Sequence, residues 1–306
     1  MNGKPLVSVI INTFNGAECV AGAVKSALEQ DYENKEIIVV DDNGAGSEKQ
    51  LATRKALAEY IGSGKITYLP NEKNIGDAAS KNAGLAVSRG EYIAFLDDDD
   101  IYPDPEKLAV NVETLSALDD SWGAAYSAIE VRWPGLTMVF NSRRMPSGDI
   151  LYDLLIHSIY INPSNVVTRR KAILDVGGYD TAYKRHVDWG YHAMLASRYK
   201  FAYIPIIGGV HNNQNPRFVA YTDENKRTEQ LGFYVRRTAR FTGHMPEEKR
   251  VVIACVNVML MNTLKNAPYS KCRALLAEWG FTLTPRAYLR AAAVFLKIKY
   301  NRYYKA

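Results

Sequence analysis

Four short apolar runs in the first hundred residues, separated by helix-like stretches, limit the folds open to this chain. Leu6-Val7-Ser8-Val9-Ile10-Ile11 and Ile37-Ile38-Val39-Val40 are near-continuous, as strands buried on both faces of a parallel sheet are. Ile66-Thr67-Tyr68-Leu69 and Tyr92-Ile93-Ala94-Phe95-Leu96 read as a third and a fourth strand. Between them, residues 17–30 place Val20, Val24, Ala27 and Leu28 at helical spacing, and residues 47–60 and 77–88 also read as helices. Strands alternating with helices of this length imply right-handed βαβ units, hence an α/β fold with a mostly parallel sheet flanked by helices.

The rest of the chain is organised differently. Residues 123–131 and 136–140 resemble a hairpin, Asn165-Val166-Val167-Thr168 a further strand, and residues 189–197 a helix. Beyond about residue 223 the pattern is helical, with breaks near Thr242-Gly243, Ala267-Pro268 and Thr284-Pro285. The expected division is an α/β domain over residues 1–220 and a helical extension over 221–306. Hydrophobic residues make up 47% of the 306, which excludes a disordered or collagen-like chain. Cys19, Cys255 and Cys272 show no metal-ligand spacing and cannot all pair, so a disulfide scaffold or structural zinc site is not expected. No run approaches the ~20 apolar residues of a membrane span; the stretch from Val251 to Met261 is shorter and interrupted by Asn257. The chain moves from Met1 straight into a strand with no apolar leader, so the expected location is the cytoplasm. Net charge is +5, and the tail from Gly280 holds six basic residues and no acid, which leaves about −1 for the rest and disfavours nucleic acid as a partner.

In open α/β sheets ligands bind beyond the carboxyl ends of the strands. Three strands here end in polar runs: Asn12-Thr13-Phe14-Asn15, Asp41-Asp42-Asn43-Gly44 and Asp97-Asp98-Asp99-Asp100. Four adjacent carboxylates raise one another's pKa or recruit a cation, and hard oxygen ligands suit Mg²⁺ or Mn²⁺. The alternative is a solvated acidic turn that caps the next helix.

These segments, with Asn74-Ile75-Gly76, Lys81-Asn82-Ala83-Gly84 and Gly90-Glu91 in order between them, resemble family 2 glycosyltransferases of the GT-A fold. That family transfers a sugar from a nucleotide diphosphate with inversion. Gly177-Gly178-Tyr179-Asp180 and His186-Val187-Asp188-Trp189 resemble its acceptor-side segment, and the likeness runs from about residue 5 to 215. It implies a nucleotide-binding set of Thr13, Phe14, Asn15, Asp42, Asn74, Lys81, Asp97 and Asp98. Phe14 stands where a Tyr usually stacks on the base, a core aromatic being the alternative; Asp42 accepts a hydrogen bond from the base, with Asp41 the alternative holder of the turn. The implied metal set is Asp99, Asp97 and His211, the register within Asp97–Asp100 being open by one residue. Asp188 is the implied general base, in a Val-Asp pair where the family shows Glu-Asp; capping of a helix from Trp189 is the other reading. Arg217 is a weaker candidate for the diphosphate. His157, His192 and His244 carry no expected role, and His186 faces the acceptor at most.

The resemblance further implies Mn²⁺ or Mg²⁺ as cofactor, a UDP-sugar as the commonest donor, and a glycan or lipid-linked acceptor in bacterial surface-glycan assembly. Processive members carry membrane spans and a Gln-x-x-Arg-Trp motif; Gln214-Asn215-Pro216-Arg217 departs from it, so single-sugar transfer is expected. Two other readings compete. A sugar-nucleotide nucleotidyltransferase would need a Gly-rich basic loop after the first strand, and a non-catalytic binder would not need Asp99 and Asp188. Residues 285–306 mix six basic side chains with Tyr288, Phe295, Leu296, Tyr300 and Tyr303, which suits either peripheral contact with an anionic membrane or packing on the domain.

Overall fold

The computed structural model describes residues 3–142, 145–212, 224–261 and 269–303. Its strands are β1 (Val7–Thr13), β2 (Lys35–Asp41), β3 (Thr67–Pro70), β4 (Tyr92–Asp97), β5 (Asp100–Ile101), β6 (Trp122–Trp133), β7 (Leu136–Phe140), β8 (Val166–Arg169) and β9 (Lys200–Asn212). The helices are α1 (Val20–Leu28), α2 (Glu48–Ala56), α3 (Ala58–Gly62), α4 (Asp77–Val87), α5 (Lys107–Ser116), α6 (Leu151–Leu155), α7 (Arg170–Val176), α8 (Val187–Ala196), α9 (Glu224–Ala239), α10 (Glu247–Met261), α11 (Tyr269–Glu278) and α12 (Pro285–Tyr303). One sheet runs β3-β2-β1-β4-β8-β6-β9-β5, with β7 pairing the last part of β6, beyond the residues that β8 pairs. The first four strands are mutually parallel, as are β6 and β9, whereas β8, β5 and β7 pair antiparallel. The sheet is therefore mixed and mostly parallel.

Alternation along β1 and β2 divides the core. Ile10, Ile38, Val40 and Phe95 face one side, and Val9, Ile11, Val39 and Leu96 face the other, where α1 packs with Val20, Ala23 and Val24. Gly84 lets α4 press onto the sheet: a Cβ there would stand 2.5 Å from Ile10 Cγ2. β5 begins three residues after β4 ends, while β9 first pairs with β6 and then delivers its far end to β5, setting His211 opposite Asp100. The sheet thereby returns its last long strand to the carboxyl end of β4.

The helical extension shares the first of these two cores. Leu231, Tyr234, Val252, Val256, Leu276, Ala291 and Ile298 belong to the same buried cluster as Ile10 and Phe95. α12 turns Ala287, Ala291 and Ile298 inward and leaves Leu289 and Leu296 exposed. Asn257, which interrupts the apolar run of α10, is fully buried: its amide donates to the carbonyls of Leu155 and Ile253, and its oxygen meets His157 Nε2 at 2.9 Å. Among the described residues no helix is long and apolar enough to cross a membrane.

Two local expectations are corrected. The helix expected over 47–60 is split at Leu57 into α2 and α3, with Ser47 capping α2 through the Gln50 N–H. The helix expected from Trp189 starts at Val187; His186, in the left-handed region at φ +57°, holds the N-cap position. Asp188 is thus inside the first turn and does not cap the helix. The break at Ala267-Pro268 lies outside the described residues, whereas Pro285 opens α12 as Pro does at a first helical position.

Candidate active site

A cavity of about 1100 Å³ opens beyond the carboxyl ends of β1, β2 and β4. From β1 and its turn come Thr13, Phe14 and Asn15; from the β2 side, Asp42 and Asn74; from α4, Lys81. The aspartate run supplies Asp97, Asp98 and Asp99, β9 supplies His211, and α8 supplies Asp188. All eleven residues expected from the sequence in the nucleotide, metal and base sets line this one space. Arg217 lies outside the described residues.

The end of the cavity beside β1 and β2 is a set of short polar contacts. Phe14 is 49% exposed at the cavity wall, which removes the core-aromatic reading. Asn15 sits in the left-handed region at φ +56°; its N–H donates to Asn43 Oδ1, and its own Oδ1 is buried without a hydrogen bond among the described residues. Asp41 and Asp42 divide their tasks. Asp41 accepts from the Asn43 N–H and side-chain amide through Oδ1 and from the Tyr68 hydroxyl through Oδ2, so it holds the turn. Asp42 accepts from Asn71 and from the N–H groups of Ile75 and Gly76, fixing the loop that carries Asn74, and it still faces the cavity. The Thr13 hydroxyl donates to Asp98 Oδ2 at 2.6 Å, tying β1 to the aspartate run.

The four aspartates are sorted by what surrounds them. Asp100 is fully buried; its Oδ2 accepts from Ser164, and its Oδ1 lies 2.7 Å from His211 Nδ1. Asp99, Asp100 and His211 each bring one ligand atom to within 4.8 Å of the others, a group able to hold a metal ion. Two carboxylates and an imidazole fit a borderline-hard divalent cation. Burial would depress His211, but the Asp100 hydrogen bond and charge, then Asp97 and Asp99, lift it to about 9. Asp97 stands apart from that group, 3.7 Å from Lys81 Nζ. Burial pushes its carboxyl well upward, Lys81 opposes this, and Asp100, Asp188 and Asp77 add to it.

Lys81 is the centre of the opposite wall. Its side chain is 3% exposed, with Nζ 2.9 Å from Asp77 Oδ2 and 2.8 Å from Asp188 Oδ1. Burial would pull the ammonium down, yet Asp188, Asp77 and Asp97 hold it well above the ordinary lysine range. Past Asp188 the lining turns aromatic and basic. The His186 and Trp189 rings stack at 4.9 Å, Tyr183 lies nearby, and Lys184 and Arg185 join them. Burial, with Arg185 adding, drops His186 to about 4, so this imidazole is neutral at neutral pH. α9 closes the wall with Thr228, Gln230 and Leu231.

Sequence reasoning passed over several of these residues. Asp77 had a signal, its four-residue spacing before Lys81 on one helix face. Asp100 was visible as part of the run but not as the partner of His211, because that pairing depends on where β9 returns. Ser164 and the α9 residues had no local signal.

A mostly parallel mixed sheet with an aspartate run at the end of its fourth strand, facing an acid on the opposite wall, defines the GT-A class of fold. The family described as "Glycosyl transferase family 2" matches residues 8–189, more than half of the chain, and the chain belongs to that family. It is 28% identical to the amylovoran biosynthesis glycosyltransferase AmsB of Erwinia amylovora over 187 residues, 60% of this chain and 61% of AmsB. It is 37% identical to the putative colanic acid biosynthesis glycosyl transferase WcaA of Escherichia coli over 110 residues, 36% of this chain and 38% of WcaA. The chain thus covers less than two thirds of either relative. Among solved structures, S. aureus TarS 1-349 superposes with a TM-score of 0.65 at 14% identity, over 96% of this chain and 88% of that one. The mannosyltransferase PcManGT of Pyrobaculum calidifontis, in complex with GDP-Man and Mn²⁺, gives 0.55 at 18% identity, over 99% and 88%. At these identities the likeness is one of fold.

Proposed function

We propose that this chain is an inverting, non-processive glycosyltransferase that moves one hexosyl or N-acetylhexosaminyl unit per encounter from a UDP-sugar to a glycan or lipid-linked acceptor. The observation that carries it is the convergence on one cavity of Asp99 and His211, with Asp100 buried behind them as the third member of their group, and of Asp188. TarS 1-349 has also been solved in complex with UDP-GlcNAc, which supports the choice of donor class.

In this reading Phe14 stacks on the base, Asp42 accepts its imide hydrogen, and Asn15, Asn74 and Asp98 frame the ribose side. Asp188 takes the acceptor hydroxyl's proton as that oxygen forms a bond to the anomeric carbon. The bond from that carbon to the diphosphate oxygen breaks on the opposite face, and its electron pair leaves with UDP. Asp99, Asp100 and His211 would hold Mn²⁺ or Mg²⁺, which when bound supplies Lewis-acid stabilisation of the departing diphosphate. Trp189, Tyr183 and Lys184 lie on the acceptor side. Partner choice follows the surface as well. α12 exposes Leu289 and Leu296 beside Arg290 and Lys297, and this supports peripheral contact with an anionic membrane carrying the acceptor, at the inner face of the cell membrane.

Calorimetric titration of UDP, dTDP and GDP, each with Mn²⁺ and then with EDTA, tests the reading. UDP is expected to bind with Mn²⁺ and to lose at least tenfold in affinity with EDTA or in Asp99→Asn. Equal UDP binding with and without metal would overturn the metal assignment, and preference for another base would overturn the donor.

A further inference from the structure

Lys81 has no part in the chemistry just described. The family likeness places it among nucleotide contacts, but its surroundings give it different work. An ammonium has three protons to donate and no acceptor. Here two short contacts go to Asp77 Oδ2 at 2.9 Å and Asp188 Oδ1 at 2.8 Å, Asp97 Oδ1 follows at 3.7 Å, and the Tyr179 ring lies 5.3 Å away. With 3% of its side chain exposed, it has little surface to offer a donor.

We infer that Lys81 is a positioning residue for Asp188, acting on transfer through that carboxylate and not through contact with the nucleotide. The inference rests on Asp188 being the base in the proposed function. The two residues come from helices far apart in sequence, and the ion pair joins α4 to the first turn of α8 across 107 positions. It holds Asp188 by Oδ1 alone, and no hydrogen bond to Oδ2 is found among the described residues, so that oxygen is left to meet an acceptor hydroxyl. A point charge suits this better than a planar guanidinium would, because it serves carboxylates lying in three directions. Sharing among three acids also keeps Lys81 from neutralising the base completely. The Asp97 contact, at 3.7 Å, is the longer one, so the short grip of Lys81 is on Asp188 and Asp77.

The test separates donor binding from turnover. In Lys81→Met, UDP affinity with Mn²⁺, read by calorimetry, is expected to change by less than tenfold; a loss of tenfold or more overturns the inference. Turnover is read as UDP release from UDP-glucose, UDP-galactose or UDP-N-acetylglucosamine, with water standing in for the acceptor. Lys81→Met should lower it tenfold or more, and should lower it no further in an Asp188→Asn background. Additive losses in that cycle would show that Lys81 acts independently of the base, and would overturn the inference. If Lys81→Met does not fold, Lys81→Gln, which keeps a polar head, runs the same cycle. Should the parent protein release UDP from no donor, the proposed function fails, while the UDP titration still decides whether Lys81 touches the nucleotide.

Discussion

Residues 1–220 carry 22 basic and 27 acidic side chains, whereas residues 221–306 carry 16 and 6. The two regions share a hydrophobic core and differ in where their charge goes. In the first, four acids around the site are inside: Asp41, Asp42, Asp98 and Asp100 are buried, each with named hydrogen-bond donors, while Asp99 and Asp188 stay half-buried. In the second, the excess is at the surface, where Arg290 meets Glu248 and Lys297 is exposed. Buried charge acts over a few ångströms and is paired or it unfolds the protein. Surface charge acts over about a Debye length, is screened by salt, and contributes little to stability. The comparison therefore separates a region whose acids are held inside by hydrogen bonds from one whose excess basic charge is spread at the surface.

The sharpest way to break that separation is at Asp188. Asp188→Asn keeps the shape of the site and is expected to lose ~10²–10⁴ in turnover, the usual size of a general-base contribution, with UDP affinity retained. UDP release at the parental rate, measured beside UDP titration, would remove the base assignment.

A buried base in the first region gives the next effect, on stability. Lys107 is fully buried, its Nζ has no hydrogen-bond partner among the described residues, and it stands 4.2 Å from the centre of the Tyr102 ring. Desolvation lowers its pKa from 10.5 to about 7. Between those values the unfolded chain holds a proton that the folded protein has released, so this group makes stability rise with pH from 7 to 10.5. Its penalty is complete below pH 7. Lys107→Met should raise the melting temperature by roughly 5–10 °C at pH 7, with the gain shrinking toward pH 10. A gain independent of pH, followed by thermal melts across that range, would show that the amine is already neutral or solvated.

The smallest expected effect on the fold, and the one specific to the second region, comes from α12. Leu289→Ser with Leu296→Ser changes two side chains that are 67% and 61% exposed. The pair should move stability by no more than about 0.5 kcal/mol per site, yet cut co-sedimentation with phosphatidylglycerol vesicles several-fold. Unchanged co-sedimentation would mean that the outer face of α12 is not the membrane contact. Deleting the helix would be a poorer experiment, since Ala287, Ala291 and Ile298 are part of the core.

Legibility in the sequence follows the range of the interactions. The strands β1, β2 and β4 could be read because each is a local apolar run, and the polar turns after them could be read because a parallel sheet puts those ends together. The split of Asp41 from Asp42 could not, since it depends on Tyr68 and on the N–H groups of residues 75 and 76. Nor could the partition of the four aspartates, which is made by Lys81 on one side and by Ser164 and His211 on the other. The contribution of α9 to the cavity wall was hidden for the same reason: Thr228, Gln230 and Leu231 form no motif and arrive there by packing.

The return of β9 to β5 has an effect on order of assembly. His211 and Asp100 are 111 positions apart, and their meeting closes a long loop within the group able to hold a metal ion. A chain folded only through its first four strands presents the donor-side turns and the aspartates but lacks the imidazole. Completion of this group, which is able to hold a metal ion, therefore coincides with docking of the last strand, and a cation bound there would act as a clasp that draws its affinity from a finished sheet.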